Sequence, residues 1–383
     1  MKKIFLLDTN ISSMPIHNAL IDAGNQVFVV GGNPKDYLAK ISENYINQDY
    51  SNLAEIEKLI NFHNIDYVIP GCNDFSYEIC AKLNFINNKI IIDKPDIVKK
   101  INNKKAFKEF ATETGLPVPK LFTSKSQNLT WPLIVKPVDA YSGRGVTVLQ
   151  KNEEELLDDA INAAKEFSKC GEIVIEEFVE GQLYSHSAFI KSKSIVVDFI
   201  VEEYGTTNPF AVDTSRVIYN FSRKMLLEIR QSINKLSSDL NLVDGLVHTQ
   251  FIKKNNKFWI IEITRRCPGD LYSKLIELST GFKYAEVYAS FFFKGEVPLQ
   301  TEHMQANHIL RHTISKKNDG YFSNLKFDLE IKIEHLVILN TSGDWVKLSP
   351  FGRIGIVFIS AQSEAALLTI FDSTLKRKLY TIN

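Results

Sequence analysis

Two cationic groups that follow each other closely along the chain would suit phosphate binding. Lys136 lies within an apolar run at 132–137, where a buried ammonium is costly unless an anion pairs with it. A turn follows, made of Ser142, Gly143, Arg144 and Gly145. Glycines let backbone N–H groups approach an anion, and the arginine adds charge. An exposed edge lysine and a plain hairpin turn are the alternative, but together the two features favour a phosphate site.

The next predicted strand ends in a cluster of carboxylates. The run 172–177 leads directly into Glu176, Glu177, Phe178 and Val179. Carboxylates at the end of a strand are commonly just exposed to solvent. Beside bound phosphates the strand end could instead read the amino edge of an adenine, using backbone groups and a carboxylate, with apolar side chains against the ring.

A later hairpin is predicted to place oxygen donors on one face. Asn255-Asn256 is a turn between the strand that carries Gln250 and the strand that carries Glu262, so the hairpin register could bring these side chains together. Glu262, Thr264 and Arg266 alternate by two and therefore point the same way. Such oxygen donors suit Mg2+, and the arginine could clamp a phosphate or carboxylate. A hairpin with one polar face is the alternative.

Charged residues around this hairpin are candidates for substrate contacts. Arg265 and Asp270 lie in the segment that follows Glu262, where Asp270 could orient an ammonium. Arg216, earlier in the chain, could hold a carboxylate. Surface salt bridges explain these residues equally well. Arg353, in a glycine-containing segment, could be a clamp or a turn residue, and the turn residue is favoured.

The elements before this region predict a β/α framework. Apolar strands are predicted at 3–7, 26–30 and 67–70, with helices between them at 15–23 and 50–63. This alternation indicates a parallel sheet with covered faces, whose ligands bind beyond the carboxyl ends of the strands. The sequence has no G-x-x-x-x-G-K-[ST] motif, which excludes a P-loop.

Length and composition exclude several classes of protein. The chain has 383 residues, 45 Lys+Arg against 45 Asp+Glu, and 44% hydrophobic residues, as expected for a globular protein of two or three packed units. The balanced charge argues against a nucleic-acid binder. Four cysteines without a C-x-x-C pair indicate neither a disulfide framework nor a structural zinc. No apolar run approaches the ~18–20 residues of a membrane span, so a cytoplasmic protein without a membrane partner is expected.

In this order, the motifs resemble the ATP-grasp superfamily over roughly residues 1 to 300. The resemblance implies ATP and one or two Mg2+ ions as cofactors. The implied phosphate contacts are Lys104, Lys136, Ser142, Gly143, Arg144 and Gly145. The implied adenine hinge is Glu176, Glu177, Phe178 and Val179. The implied metal ligands are Gln250, Glu262 and Thr264, with Arg266 and Arg216 as the candidate catalytic residues.

The chain departs from the usual motifs of that superfamily at several positions. Asn103-Lys104 has Asn where a D-K pair is usual, and Gln250 replaces a metal carboxylate, as in carbamoyl-phosphate-synthetase-like members. Thr264 replaces the Asn of the E-x-N-x-R motif. The segment 181–183 reads Gly-Gln-Leu where a G-x-E motif supplies a ribose-binding Glu.

The resemblance also implies a fold of mixed α/β and α+β class. A parallel β/α domain is expected at 1–95. An ATP-grasp domain is expected at 96–300, with a mobile lid at about 120–182. A C-terminal α/β unit at 301–383 is expected to complete the ATP-grasp region.

The implied reaction joins two small molecules. A substrate carboxylate attacks the γ-phosphate of ATP, giving an acyl phosphate and ADP, and an amine then displaces phosphate. Positioning and charge neutralisation supply most of such catalysis. Two alternatives stay open: a carboxylase-type enzyme that uses bicarbonate, and a nucleotide-binding regulatory protein without turnover. Dimers are common in the superfamily, so a homodimer is a further expectation.

Overall fold

The structure, a computed structural model, describes residues 1–87, 90–123, 126, 128–140, 143–293 and 304–383. Ser142, one of the predicted phosphate contacts, lies outside the described residues. Within the described ranges, no helix combines the length and apolarity needed to span a bilayer.

The first unit is a parallel sheet with helices on its faces. Its elements are β1 Lys3–Leu7, α1 Met14–Asp22, β2 Gln26–Gly31, α2 Tyr37–Ile41, β3 Tyr45–Asn47, α3 Leu53–His63, β4 Tyr67–Pro70 and α4 Asp74–Asn87. The strand order is β3-β2-β1-β4, and every neighbouring pair is parallel. The central strand β1 is buried from Ile4 to Leu7, as expected for an apolar strand covered on both faces. The predicted parallel β/α sheet is confirmed.

Two helices, α5 Pro95–Asn102 and α6 Lys104–Glu113, lead to the next unit. Asn103 separates them, because its side chain accepts a hydrogen bond from the backbone N–H of Ala106 and so caps α6. Lys104 thereby becomes the first residue of α6. One turn later, Lys108 lies on the buried face of the helix.

A small antiparallel sheet follows, in the segment predicted as a lid. Its elements are β5 Leu121–Phe122, β6 Leu133–Pro137, β7 Thr147–Leu149, α7 Leu157–Phe167 and β8 Ile173–Glu177. Among the described residues the strand order is β5-β8-β6-β7. Val135 belongs to the apolar core between this sheet and α7. Because side chains alternate along a strand, Lys136 faces away from that core.

A large antiparallel sheet carries the rest of the chain. The elements up to residue 293 are β9 Gln182–Lys191, β10 Ser194–Tyr204, β11 Thr214–Val217, α8 Arg223–Asp239, β12 Gly245–Lys254, β13 Lys257–Thr264, α9 Tyr272–Thr280 and α10 Tyr284–Ser290. The later elements are β14 His308–Ile314, β15 Gly320–Tyr321, β16 Leu325–Phe327, β17 Lys332–Ile338, β18 Trp345–Val346, β19 Gly355–Ala361, α11 Glu364–Leu375 and β20 Tyr380–Ile382.

The described strands of the large sheet run in the order β13-β12-β9-β10-β11-β14-β19-β17. Strands from the C-terminal segment, β14, β19 and β17, therefore extend the sheet that β9 to β13 begin. Together with the parallel N-terminal sheet, this large sheet confirms the predicted mixed fold class. The residue boundaries predicted for the domains stay predictions.

A buried ion pair fastens the segment before α5 to the large sheet. The Arg265 guanidinium donates to Asp93 at 2.7 Å and to the backbone carbonyls of Leu246 and Val243, each at 2.6 Å. The Tyr77 hydroxyl donates to the same Asp93 carboxylate at 3.0 Å. The guanidinium is thus engaged in hydrogen bonds inside the protein. The expected substrate contact of Arg265 is wrong, because the buried ion pair with Asp93 occupies its guanidinium. The local sequence, an apolar run that leads into a turn, does not reveal that this side chain turns inward.

We predict that Asp93→Ala lowers the free energy of unfolding by about 3–5 kcal/mol, because Arg265 would stay buried without its anion. The exposed pair Lys376–Asp372 offers a control, and Asp372→Ala should cost less than about 1 kcal/mol. Urea unfolding followed by circular dichroism measures both values. Equal losses for the two variants would contradict a stabilising role of the buried pair.

Candidate functional site

The site is built around one buried carboxylate, that of Glu176 at the end of β8. Its Oε2 lies 2.9 Å from Lys136 Nζ and 3.8 Å from Lys108 Nζ. Glu176 and Lys136 share one face of the small sheet, since Glu176 pairs with Ile134 in the strand register. Lys108 reaches the same oxygen from α6. Two lysines from different elements therefore converge on one anion.

Burial and charge act against each other at Glu176. Burial alone would raise the pKa of the carboxyl, but the ammonium groups of Lys108 and Lys136 outweigh this and hold the pKa below its ordinary value. Burial lowers the pKa of Lys108 to about 7, and Glu176 opposes this shift. The second carboxylate oxygen, Oε1 of Glu176, is buried without a hydrogen-bond partner among the described residues. That oxygen is open to a donor from a ligand.

Lys104 adds a third cation to this region. Its Nζ donates to the carbonyl of Ala140 at 2.8 Å, just after β6. The Lys104 charge helps to lower the pKa of Glu176 and that of Asp74, at the start of α4. The predicted phosphate contacts Lys104 and Lys136 are thus brought together, and Lys108, which the sequence analysis missed, lies between the two sheets with them.

The predicted hairpin brings Gln250 opposite Glu262. The two residues pair directly in the β12–β13 register, and a β-bulge follows between Gln250 and Phe251. Lys108 Nζ donates to the carbonyl of Ile260, two residues before Glu262, at 2.7 Å. This bond ties α6 and its Glu176 partner to the hairpin. Lys108 thus links the Lys136–Glu176 pair to the strand that carries Glu262, which supports the expected convergence of the strand lysine and the hairpin.

Glu203, on β10, orients the Gln250 amide. Gln250 Nε2 donates to Glu203 Oε2 at 2.7 Å, so the amide oxygen is the group left to accept from, or coordinate, a ligand. Burial raises the pKa of Glu203, while hydrogen bonds from Ser185 and Gln250 work in the opposite direction. The sequence analysis missed Glu203, which only the pairing of β10 with β9 and β9 with β12 brings near.

Thr264 and Arg266 both turn toward the N-terminal unit. The Thr264 hydroxyl donates to Asp74 Oδ1 at 2.8 Å, and Arg266 Nε donates to the same atom at 3.0 Å. Burial would raise the pKa of Asp74, but Arg266 reverses this and holds it below its ordinary value. The Thr264 hydroxyl thus gives its proton to Asp74 and keeps its oxygen lone pairs, so its predicted role as a metal ligand stays a prediction.

Asp270 lies between two arginines of the C-terminal segment. Its carboxylate is 2.6 Å from Arg353 Nη1 and 3.4 Å from Arg311 Nη2, and Arg311 Nε donates to its backbone carbonyl at 2.9 Å. Its backbone N–H donates to Ser12 Oγ in the N-terminal unit. Asp270 thus meets two guanidinium groups, which corrects the expectation of a carboxylate awaiting an ammonium. Of the two roles considered for Arg353, the ion pair with Asp270 supports the clamp.

Arg216 lies on the other face of the large sheet. Its guanidinium pairs with Glu202 at 2.7 Å and with Glu364 of α11 at 3.7 Å, and it sits over the Phe371 ring. Glu202 and Glu203 are neighbours on β10, so their side chains point to opposite faces. Arg216 therefore lies away from Glu203 and Gln250. Its expected catalytic role is not supported by this placement.

The hinge and the glycine turn lie close to the segment after β10. Phe178 contacts the ring of Phe210, with centroids 6.4 Å apart. Gly143 has φ +70, and a Cβ there would lie 2.7 Å from Phe210 Cβ, so the turn requires glycine. Arg144 lies over the Phe351 ring at 6.0 Å. The small sheet therefore meets the large sheet at the glycine turn as well as at Glu176.

The end of β8 has its own backbone pattern. The N–H groups of Glu177 and Phe178 donate to the carbonyls of Lys120 and Pro132 at 2.9 and 2.7 Å. Val179 follows as the first residue beyond these bonds. The predicted hinge residues are thus contiguous with the buried Glu176 carboxylate.

The metal-binding potential of the site comes from few side chains. Within the described part of the chain, no cluster of three or more His, Cys, Asp and Glu side chains is arranged to hold an ion. Glu262 and the Gln250 amide oxygen are the available pair on the hairpin. Because Mg2+ takes few protein ligands and fills its sphere with water and phosphate oxygens, such a pair suits Mg2+ bound together with a phosphorylated ligand.

Comparison with known proteins matches the centre of the chain to one domain family. Residues 129–274 match the family described as ATP-grasp domain. The chain is 22% identical over 212 residues to "Carbamoyl phosphate synthase large chain, C-terminal section" of Aquifex aeolicus, covering 52% of this chain and 38% of that protein. It is 22% identical over 288 residues to the carbamoyl phosphate synthase large chain of Vibrio vulnificus, covering 71% and 26%. The chain thus spans well under half the length of these relatives.

Solved structures share the fold along the whole chain. An L-amino acid ligase from Bacillus licheniformis has a TM-score of 0.81 at 18% identity, covering 100% of this chain and 98% of that chain. A phosphoribosylglycinamide synthetase from Anaerococcus prevotii has a TM-score of 0.78 at 18% identity, covering 100% and 99%. Fold and matched domain together define an ATP-grasp architecture. Residues 129–274 thus match an ATP-grasp domain, and the whole chain shares the fold of these solved structures.

We predict that Glu176→Gln lowers the free energy of unfolding by about 3–5 kcal/mol, because Lys136 and Lys108 would stay buried without their anion. Glu177→Gln is the matched control, since Glu177 is only half-buried, and its cost should be below about 1 kcal/mol. Urea unfolding measures both. A Glu176→Gln protein as stable as the control would show that the lysines do not depend on this carboxylate.

Proposed function

We propose that this protein is an ATP-dependent ligase that activates a small-molecule carboxylate as an acyl phosphate and joins it to an amine. The observation that carries the proposal is the convergence of Lys136, Lys108 and Glu176 with the hairpin that holds Gln250 and Glu262. Cations and oxygen donors brought close to one another in this way are complementary to a triphosphate with its Mg2+.

The adenine end of the nucleotide is assigned to the end of β8. The unpartnered Glu176 Oε1 supports this, because an amino group is the donor that a buried carboxylate oxygen lacks. Val179 and the Glu177 carbonyl follow directly and would supply backbone contacts. The Phe178 side chain, in contact with Phe210, borders the same place.

The phosphate end is assigned to the lysines and the glycine turn. Lys136 and Lys104 supply charge, and Gly143, Arg144 and Gly145 would approach the phosphates through their N–H groups. Glu262 and the Gln250 amide oxygen would hold Mg2+, which neutralises the charge of the transferring phosphoryl group when it is bound. The Thr264 hydroxyl, whose proton is directed to Asp74, would offer its oxygen lone pairs as a third ligand.

The acid substrate is assigned to the arginines beyond the metal strand. Arg266, held by Asp74, is the candidate catalytic residue, and Arg311 and Arg353 surround Asp270 next to it. A carboxylate oxygen of the substrate would attack the γ-phosphorus, and the bond to the ADP oxygen would break. The amine would then attack the acyl carbon and lose a proton as phosphate leaves. Guanidinium groups suit both the carboxylate and the acyl phosphate.

A panel of acids and amines tests the reaction class through ADP release. Release that requires both an acid and an amine supports the proposal. Release that requires bicarbonate would favour a carboxylase, a reaction suggested by solved structures of biotin carboxylases with this fold, such as that of Campylobacter jejuni. Nucleotide binding without turnover on the whole panel would favour a regulatory protein.

We predict that Lys136→Met weakens binding of a nonhydrolysable ATP analogue by about 10- to 100-fold, as expected for the loss of a charge-assisted contact. Lys120→Met, on the exposed surface near β5, is the control and should bind as the wild type does. Isothermal titration calorimetry measures both affinities. Unchanged affinity in Lys136→Met would remove this residue from the phosphate site.

We predict that Glu262→Gln lowers Mg2+-dependent ADP formation at least about 100-fold, because the remaining amide oxygens hold Mg2+ poorly. Nucleotide binding without Mg2+ should be retained, which separates loss of the metal from loss of the fold. Steady-state ADP assays and calorimetry give the two values. Full activity of the variant would contradict Glu262 as a metal ligand.

A further inference from the structure

Lys108 is a buried cation to which the proposed function assigns no contact with the nucleotide. Its side chain is 0% exposed, and α6 and β13 enclose it. Its Nζ is held by the Ile260 carbonyl at 2.7 Å, so it is anchored where it stands. A side chain fixed in this way is poorly placed to move to a ligand, and Lys136 is the more exposed of the two lysines.

Two positive charges face the single negative charge of Glu176. One carboxylate oxygen faces two ammonium groups, with Lys136 at 2.9 Å and Lys108 at 3.8 Å. The shorter contact belongs to Lys136, which is also the residue assigned to the triphosphate. If Lys136 turned to a phosphate, Glu176 would lose its nearest counter-ion inside the protein. A buried carboxylate left without a counter-ion is strongly unfavourable.

We propose that Lys108 is a positioning residue that keeps Glu176 paired when Lys136 turns to the triphosphate. This inference rests on the proposed nucleotide site. Lys108 already lies within ion-pair distance of the same oxygen, so the exchange needs no movement of the hinge. The anchor on Ile260 also holds Lys108 beside the hairpin of Glu262. Lys108 thus makes Lys136 available to phosphate at low cost in free energy.

A matched pair of variants on α6 tests the exchange. Lys108→Met removes the buried ammonium, and Lys105→Met removes an exposed one from the same helix. Calorimetry with a nonhydrolysable ATP analogue should show a loss of about tenfold or more for Lys108→Met, since a charged partner typically contributes that much, and no loss for Lys105→Met. Adenosine, which has no phosphate to attract Lys136, should bind equally to the wild type and to Lys108→Met.

A second change distinguishes charge exchange from general damage. In the double variant of Lys108→Met with Glu176→Gln, no carboxylate competes for Lys136, and the introduced amide keeps an oxygen that can accept from the adenine amino group. The affinity for the ATP analogue should therefore recover relative to Lys108→Met alone. Lys108→Gln keeps a donor for the Ile260 carbonyl without the charge and should lose affinity as Lys108→Met does. If thermal unfolding shows that Lys108→Met does not fold, Lys108→Gln replaces it in the titration.

Three results would overturn the inference. These are an unchanged ATP-analogue affinity in both Lys108 variants, an equal loss for adenosine and the ATP analogue, and a double variant no better than Lys108→Met. The titration of the wild type separates a failure of this inference from a failure of the proposed function. A wild-type protein that binds no ATP analogue contradicts the nucleotide site itself, whereas normal wild-type binding with any of the three results contradicts only the role of Lys108.

Discussion

A buried carboxylate shared by two lysines is the interaction on which the site depends. Glu176 joins Lys136 of the small sheet to Lys108 of α6, and Lys108 in turn holds the carbonyl of Ile260 on the hairpin. Buried charges persist only when they are paired, so each partner fixes the position of the others. The small sheet is therefore fastened to the large sheet at the place where the proposed triphosphate would bind.

The outer segments of the chain surround this centre with a second set of charges. Asp74 of the N-terminal unit holds Arg266, and Arg311 and Arg353 of the C-terminal segment hold Asp270. The matched ATP-grasp family covers only residues 129–274, so most of these groups come from outside it. The charges around the proposed acid site are therefore supplied largely by the N- and C-terminal segments.

Local patterns were sufficient where the chemistry lies on consecutive strands. The alternation along β13 and the short turn before it predicted the Gln250–Glu262 pairing, and an isolated lysine in an apolar strand predicted the buried Lys136. Local patterns failed where the order of strands in the sheet determines which residues lie together. Arg216 points to the opposite face from Glu203, which follows only from how β10 and β11 pair.

The sequence indicates the burial of Lys108 but does not distinguish Arg265 from Arg266. Lys108 follows Lys104 by one helical turn on the apolar face of α6, which marks it as a buried lysine in need of an anion. Arg265 and Arg266 are adjacent and alike in type, yet one pairs with Asp93 in the interior and the other with Asp74 at the site. Only the positions of the two acids, more than 160 residues earlier, distinguish them.

A crystal structure with a nonhydrolysable ATP analogue and Mg2+ tests the nucleotide site most directly. We expect the triphosphate between the two sheets, with Lys136 Nζ on a phosphate oxygen, Mg2+ on Glu262 and Glu176 paired with Lys108. Nucleotide bound elsewhere, with Lys136 still on Glu176, would contradict the proposed site.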